Sequence, residues 1–277
     1  MEKKYDLSVL MPAIRTHQWL KMYESLKLSC KKHTFQLVLV SPFDLPSSMK
    51  NLDNVKLVQD WGNPVRCSQL GVDHCDSDLI YMSTDDAMFI EDAIDHSLDY
   101  YNDKCQQKDI LNMRYTEGVN RSGKTMPEGY WHAHSHDDMK LIGIPKNYKF
   151  SMQFICSKDY FKKLGGMDCQ FEYVVYSLCD FCFRLQADGG IIHDSPCDVQ
   201  NCDWYPTVTI DHKPIHEAQT NHDLPIFQKL YSSKENVALD RILLDFDDWK
   251  NTPAQWDRRF KGTKPNSYID VMKLNNL

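Results

Sequence analysis

Four short apolar runs, each closed by a turn and separated by segments of helical spacing, constrain this chain more than any other feature. Leu7 to Met11 ends at Pro12, Phe35 to Val40 at Ser41-Pro42, Val55 to Val58 is a shorter third run, and Leu79 to Ser83 leads into Thr84-Asp85-Asp86. Gln18 to Cys30 carries Trp19, Met22, Leu26 and Cys30 on one helical face, and Gln69 to Cys75 has the same character. Runs this nearly continuous in apolar residues belong to strands covered on both faces. Their alternation with helices therefore predicts an α/β fold, a mostly parallel sheet flanked by helices.

The pattern continues past the fourth run. Phe150 to Ser157 reads as a strand, Asp159 to Leu164 as a helix ending at Gly165-Gly166, and Tyr173 to Ala187 as a helix ending at Gly189-Gly190. Ile191 to His193 and Thr207 to Ile210 read as short strands. Asn112 to Lys140 is rich in Gly, His and charge, and reads as a long loop. After Leu230 the chain turns acidic and aromatic and is expected to pack as a helical C-terminal appendage.

Composition excludes several classes. Lys plus Arg total 32 against 39 Asp plus Glu, a net charge of -7, which argues against a protein that coats nucleic acid through bulk charge. No run approaches the roughly 20 apolar residues of a membrane helix, and mean hydropathy is -0.53. The run from Leu7 to Met11 is too short for a signal-peptide core. The 10 cysteines lie within apolar segments, and a chain of 277 residues does not need disulfide staples. Reduced thiols in the cytoplasm, a host cell's if the chain is viral, are the expectation. Cys179, Cys182, Cys197 and Cys202 form only a loose version of a zinc pattern, and core packing is the plainer reading.

In open sheets of this kind ligands collect beyond the carboxyl ends of the strands. Here those ends carry Pro12 to Arg15, Ser41 to Asp44, and Asp85-Asp86. Adjacent carboxylates at such a mouth suit a hard divalent cation, Mg2+ or Mn2+, and through it a pyrophosphate; the bland reading is a cap on the next helix.

Five segments in order resemble the nucleotide-sugar glycosyltransferases of family 2 with the GT-A fold. Leu7 to Ala13 looks like that family's opening strand. Gly62 to Val72, GNPVRCSQLGV, is similar to its Gly-x-x-x-Ala-Arg-Asn-x-Gly helix entry, and Tyr81 to Asp86 to its Asp-x-Asp strand end. Leu164 to Asp168 resembles the Gly-Gly-Phe-Asp turn, and Asp180 to Arg184 the end of the Glu-Asp-x-Asp-Leu-x-x-Arg helix. The resemblance covers roughly residues 5 to 215. It implies a GT-A domain over 1–225, with a nucleotide-sugar half at 1–110 and an acceptor half at 111–225 holding the 112–140 loop, followed by an extension at 226–277.

The implied activity is metal-dependent transfer of a hexosyl or pentosyl unit from a nucleoside-diphosphate donor, UDP first, to a hydroxyl acceptor. Pro12, Ala13, Arg15, Asp44, Arg66, Asp85 and Asp86 would contact the donor, with Asp44 as the guess for uracil, and Asp85, Asp86 and His212 the metal. Two departures stand out: Ser83 replaces the first Asp of Asp-x-Asp, and Leu178 stands where the family has its catalytic base. A base must take the proton from the attacking hydroxyl. Asp180 is the first choice, with Asp168 and Glu172 next, although an Asp180 paired with Arg184 at i+4 also reads as structural. Arg114, Arg121, Trp131, Gly166 and Arg184 are the acceptor-side candidates.

The acceptor is expected to be a glycan, a small molecule or modified DNA. The last follows an analogy with phage enzymes that glycosylate hydroxymethylated cytosine. His132, His134 and His136 read as part of a mobile lid, with a metal site as the alternative. Trp249, Trp256, Arg258, Arg259 and Lys261 read as core anchors, with an acceptor platform as the alternative. A degenerate member that binds a nucleotide or glycan without transfer, and a zinc protein that binds nucleic acid, are the competing classes.

Overall fold

A computed structural model describes residues 4–117, 148–202, 211–232 and 237–277. The main sheet is built from β1 (Leu7–Pro12), β2 (Phe35–Ser41), β3 (Val55–Gln59), β4 (Leu79–Met82), β6 (Ile110–Asn112), β8 (Phe154–Ser157) and β9 (Ile192–Asp194). Its order is β3-β2-β1-β4-β8-β6-β9. The first four are parallel, with Leu10 opposite Val38 on one side and Met82 on the other; β8 runs antiparallel to both β4 and β6. A small second sheet joins β5 (Ala87–Phe89), β10 (Gln200–Cys202) and β7 (Tyr115–Glu117).

Strand alternation assigns the two cores. Leu10, Val38, Val40 and Met82 face one apolar layer with α2 (Pro64–Val72), α4 (Lys158–Lys163) and α5 (Val174–Ala187). Val9, Met11, Leu37 and Leu39 face the other with α1 (Trp19–Ser29) and α3 (Ala93–Lys104). The remaining α-helices among the described residues are α6 (Lys213–Ala218), α7 (Leu224–Tyr231), α8 (Asp257–Phe260) and α9 (Tyr268–Leu274). Trp256, Phe260 and Val271 pack into the second core. The extension is thus continuous with the domain.

Three expectations shift. The second helix starts at Pro64, not Gln69, because the Asn63 side chain accepts from Arg66 N and Pro64 suits a first turn. The strand expected from Phe150 starts at Phe154; Phe150 and Met152 precede it as cavity lining. Helix α3 was not anticipated. Its apolar face is confined to Ala93, Ile94, Leu98 and Tyr101 in a segment otherwise rich in Asp and Asn. Most of the expected 112–140 loop, including Arg121, Trp131 and the three alternate histidines, and the expected strand at Thr207 to Ile210 lie outside the described residues. Cys179 and Cys182 are buried in the first core, and no group of three metal-ligating side chains occurs among the described residues. No described helix is long and apolar enough to cross a membrane.

Candidate active site

A cavity of about 790 Å3 opens where β1, β2 and β4 end and α2 begins, a size suited to a nucleotide sugar. The backbone just past β1 is fixed by Asp85. Its Oδ2 accepts from Ile14 N and Arg15 N, both at 2.7 Å, and from Trp19 Nε1 at 3.3 Å. Its Oδ1 takes Arg15 Nη1 at 2.5 Å. Arg15 then reaches across to Asp211, with Nε at 2.8 Å and Nη2 at 3.0 Å. Asp211 also accepts from the Tyr268 hydroxyl at 2.8 Å and pairs with His212 Nδ1 at 2.7 Å.

Both Arg15 and Asp211 are buried, and each favours the charged form of the other. Burial alone would lower the Arg15 pKa, but Asp85 and Asp211 outweigh it and hold it well above its usual value. Burial would raise the Asp211 carboxyl, yet Arg15 and His212 hold it below the carboxylate range. The bond from Asp211 to Nδ1 leaves His212 Nε2 directed away from that carboxylate. Asp86 differs from Asp85: one oxygen takes the Thr84 hydroxyl at 2.6 Å, and the other takes no hydrogen bond among the described residues.

The wall on the β3 side is Asp60, which the sequence did not single out. It accepts from Gly62 N at 2.7 Å and holds Arg66 through Nε and Nη2. Arg66 continues to the carbonyls of Trp249 at 2.7 Å and Thr252 at 3.1 Å, tying the C-terminal extension to α2. Under the mouth, the Tyr81 hydroxyl donates to Gln200 Oε1 at 2.7 Å, and Ser83 Oγ lies 3.1 Å from the same oxygen. The far half of the cavity is apolar. Phe150, Met152 and Met167 face Val174, Val175 and Leu178 of the first turns of α5.

The structure brings Pro12, Ala13, Arg15, Asp85, Asp86 and His212 to this cavity. It does not bring the three proposed bases there. Asp180 is wholly buried, accepting from Arg184 Nε at 2.7 Å, Arg241 Nη2 at 2.5 Å and the Tyr231 hydroxyl at 2.5 Å. Burial would raise its pKa, but Arg184 and Arg241 outweigh burial and hold it below the usual range. Asp168 is paired with Arg241 at 2.8 Å. Glu172 accepts from Trp256 Nε1 at 2.9 Å and Arg258 Nε at 2.7 Å. All three carboxylates therefore bind the C-terminal half of the chain together.

Other candidates also lie off the cavity. Asp44 is exposed and accepts from Gln59 Nε2 at 2.9 Å, while Arg114 pairs with Asp198 at 2.8 Å. Gly166 is buried at a left-handed turn, where a Cβ would stand 2.1 Å from Gln69 Oε1. Arg184 holds the carbonyls of Leu164 and Gly166. Its role is to fix that turn.

No protein-family model matches this sequence, and no curated protein matches it. Solved structures do. The crystal structure of GalNAc-T7 with UDP, GalNAc and Mn2+ matches with a TM-score of 0.55 and 13% identity over 72% of this chain, which spans 43% of that chain. S. aureus TarS 1–349 matches with a TM-score of 0.53 and 12% identity over 88% of this chain and 71% of its own. Its complex with UDP gives 0.53 and 11% over 83% and 67%. The fold is GT-A, that of the nucleotide-sugar glycosyltransferases.

Proposed function

We propose that the protein is a glycosyltransferase that moves a hexosyl or pentosyl unit from a nucleoside-diphosphate sugar, UDP first, to a hydroxyl acceptor. The observation that carries this reading is the division of the cavity. Its polar half lies where β1, β2 and β4 end, with Arg15, Asp60, Asp85 and Asp86, and its apolar half lies under α5. A nucleoside diphosphate in the polar half would leave the sugar at the boundary, next to an acceptor in the apolar half.

The residues fit a divalent cation delivered with the diphosphate better than a resident one. Asp85 is saturated by four donors, which leaves Asp86 and His212 to hold Mn2+ or Mg2+. Mg2+ commonly takes one or two carboxylates plus substrate phosphates. Such an ion would offset the charge of the departing diphosphate. Asp85 and Arg15 position the backbone of residues 14 and 15 against the donor.

The apolar half suits an acceptor that presents a planar or apolar face beside its hydroxyl, a description met by some glycans, by aromatic small molecules and by hydroxymethylated cytosine in DNA. Ten free cysteines favour a reducing compartment, hence the cytoplasm. One observation favours a second reading: no carboxylate from α5 faces the cavity, as expected of a binder without transfer.

Isothermal titration with UDP, other nucleotides and their sugars, with Mn2+ or with EDTA, tests the donor site. Tight binding of one nucleotide series supports the reading, and binding of none refutes it. Donor hydrolysis then separates enzyme from binder.

A further inference from the structure

Of the four buried arginines among the described residues, three have their charge matched. Arg15 pairs with Asp85 and Asp211, Arg66 with Asp60, and Arg184 with Asp180. Arg259 does not. It lies on α8, is 6% exposed and lines the cavity; its Nε has no partner, and no ion pair or side-chain hydrogen bond of Arg259 lies among the described residues.

A buried guanidinium without an anion is costly, and natural interiors avoid it unless a ligand completes the site. The side chain is nonetheless held in place. Its guanidinium carbon lies 5.1 Å from the centre of the Trp256 ring. Trp256 N bonds Trp61 O at 2.7 Å, and Asn275 Nδ2 bonds the Arg259 carbonyl at 2.9 Å. The cation is fixed in advance of its partner. Its charged neighbours are Asp211, Arg15 and Asp85, the group at the exits of β1 and β4, with the Cys67 thiol beside them. Asp85 and Asp211 are already engaged by Arg15, so neither is free to serve Arg259.

We infer that Arg259 binds the diphosphate of the nucleotide, and that the C-terminal segment carrying it is part of the donor site. This rests on the glycosyltransferase reading above. A guanidinium offers two parallel N–H donors matched to phosphate oxygens. The segment is anchored at the same time by Arg66 to residues 249 and 252 and by Glu172 to Trp256 and Arg258. Nucleotide binding therefore draws on the whole extension, and a ligand lacking phosphate gains nothing from it.

Titration of wild type, Arg259→Gln and Arg259→Met with UDP, UMP and uridine, with Mn2+ and with EDTA, tests the inference alongside the melting temperature of each free protein. Loss of the charge-assisted bonds should weaken UDP by at least about tenfold in both variants and leave uridine unchanged. The free variants should melt at or above wild type, since the mutation removes an uncompensated buried charge. Equal UDP affinity in wild type and variants overturns the inference, as does a matching loss for uridine, which would make Arg259 a base contact. A free variant that melts well below wild type also overturns it, because the guanidinium would then have a structural partner. If wild type binds no nucleotide under any condition, it is the glycosyltransferase reading that fails.

Discussion

Asp180→Asn separates two accounts of the one residue whose sequence context most suggested catalysis. The side chain is wholly buried and, among the described residues, carries the one carboxylate paired with Arg184, while sharing Arg241 with Asp168. Asparagine keeps the shape and one acceptor oxygen but removes the charge, which leaves Arg184 uncompensated in the core. Removing one partner of a buried pair costs about 3–5 kcal/mol. Unfolding entropy of roughly 2.1 cal/mol/K per residue, over the chain's 277 residues, converts that cost to a fall in Tm of about 5–9 °C. The assay is calorimetric melting of both proteins, followed by donor titration and transfer well below the lower Tm. A structural Asp180 predicts a large loss of Tm, with transfer per folded molecule retained. If Asp180→Asn melts with wild type, binds donor normally and transfers nothing, Asp180 reaches the reacting hydroxyl and the reasoning collapses.

Two further outcomes follow from the same geometry. Asp211 is held below the usual carboxylate range in the folded protein, so its contribution is fully present above about pH 4 and is lost as pH falls toward its depressed value. Urea unfolding from pH 5 to pH 2 should show stability falling more steeply in wild type than in Asp211→Asn, and equal slopes would remove Asp211 from the account. Gly71→Ala would place a Cβ 2.2 Å from Leu10 Cδ1 and 2.8 Å from Val40 Cγ2, against β1 and β2. Overpacking of this kind costs about 1–3 kcal/mol, and an unchanged melting temperature would show that the sheet yields at no cost.

The parallel half of the fold was legible because a strand covered on both faces is apolar at nearly every position, and Leu7 to Met11 and Phe35 to Val40 keep that pattern except at Ser8 and Gln36, which are buried and hydrogen-bond each other at 2.8 Å. The small sheet was not. Its strands are three residues each, and their pairing of Gln200 with both Phe89 and Tyr115 joins segments more than 80 residues apart. The strand exits were legible as a site for the same topological reason, since parallel strands bring their carboxyl ends together whatever the loops do. What each exit residue does depends on partners far away: Asp85 serves residues 14, 15 and 19, and Arg15 meets Asp211 196 positions on.

Arg259 shows the limit most sharply. In sequence it is one of two adjacent arginines after a tryptophan, and nothing local says which of the two is paired. Packing decides. Asp257–Phe260 forms a single helical turn, which sends Arg258 outward to Glu172 and Arg259 inward to the cavity. A charge with no partner among the described residues is one their packing alone does not explain, and the cavity it faces is where the explanation lies.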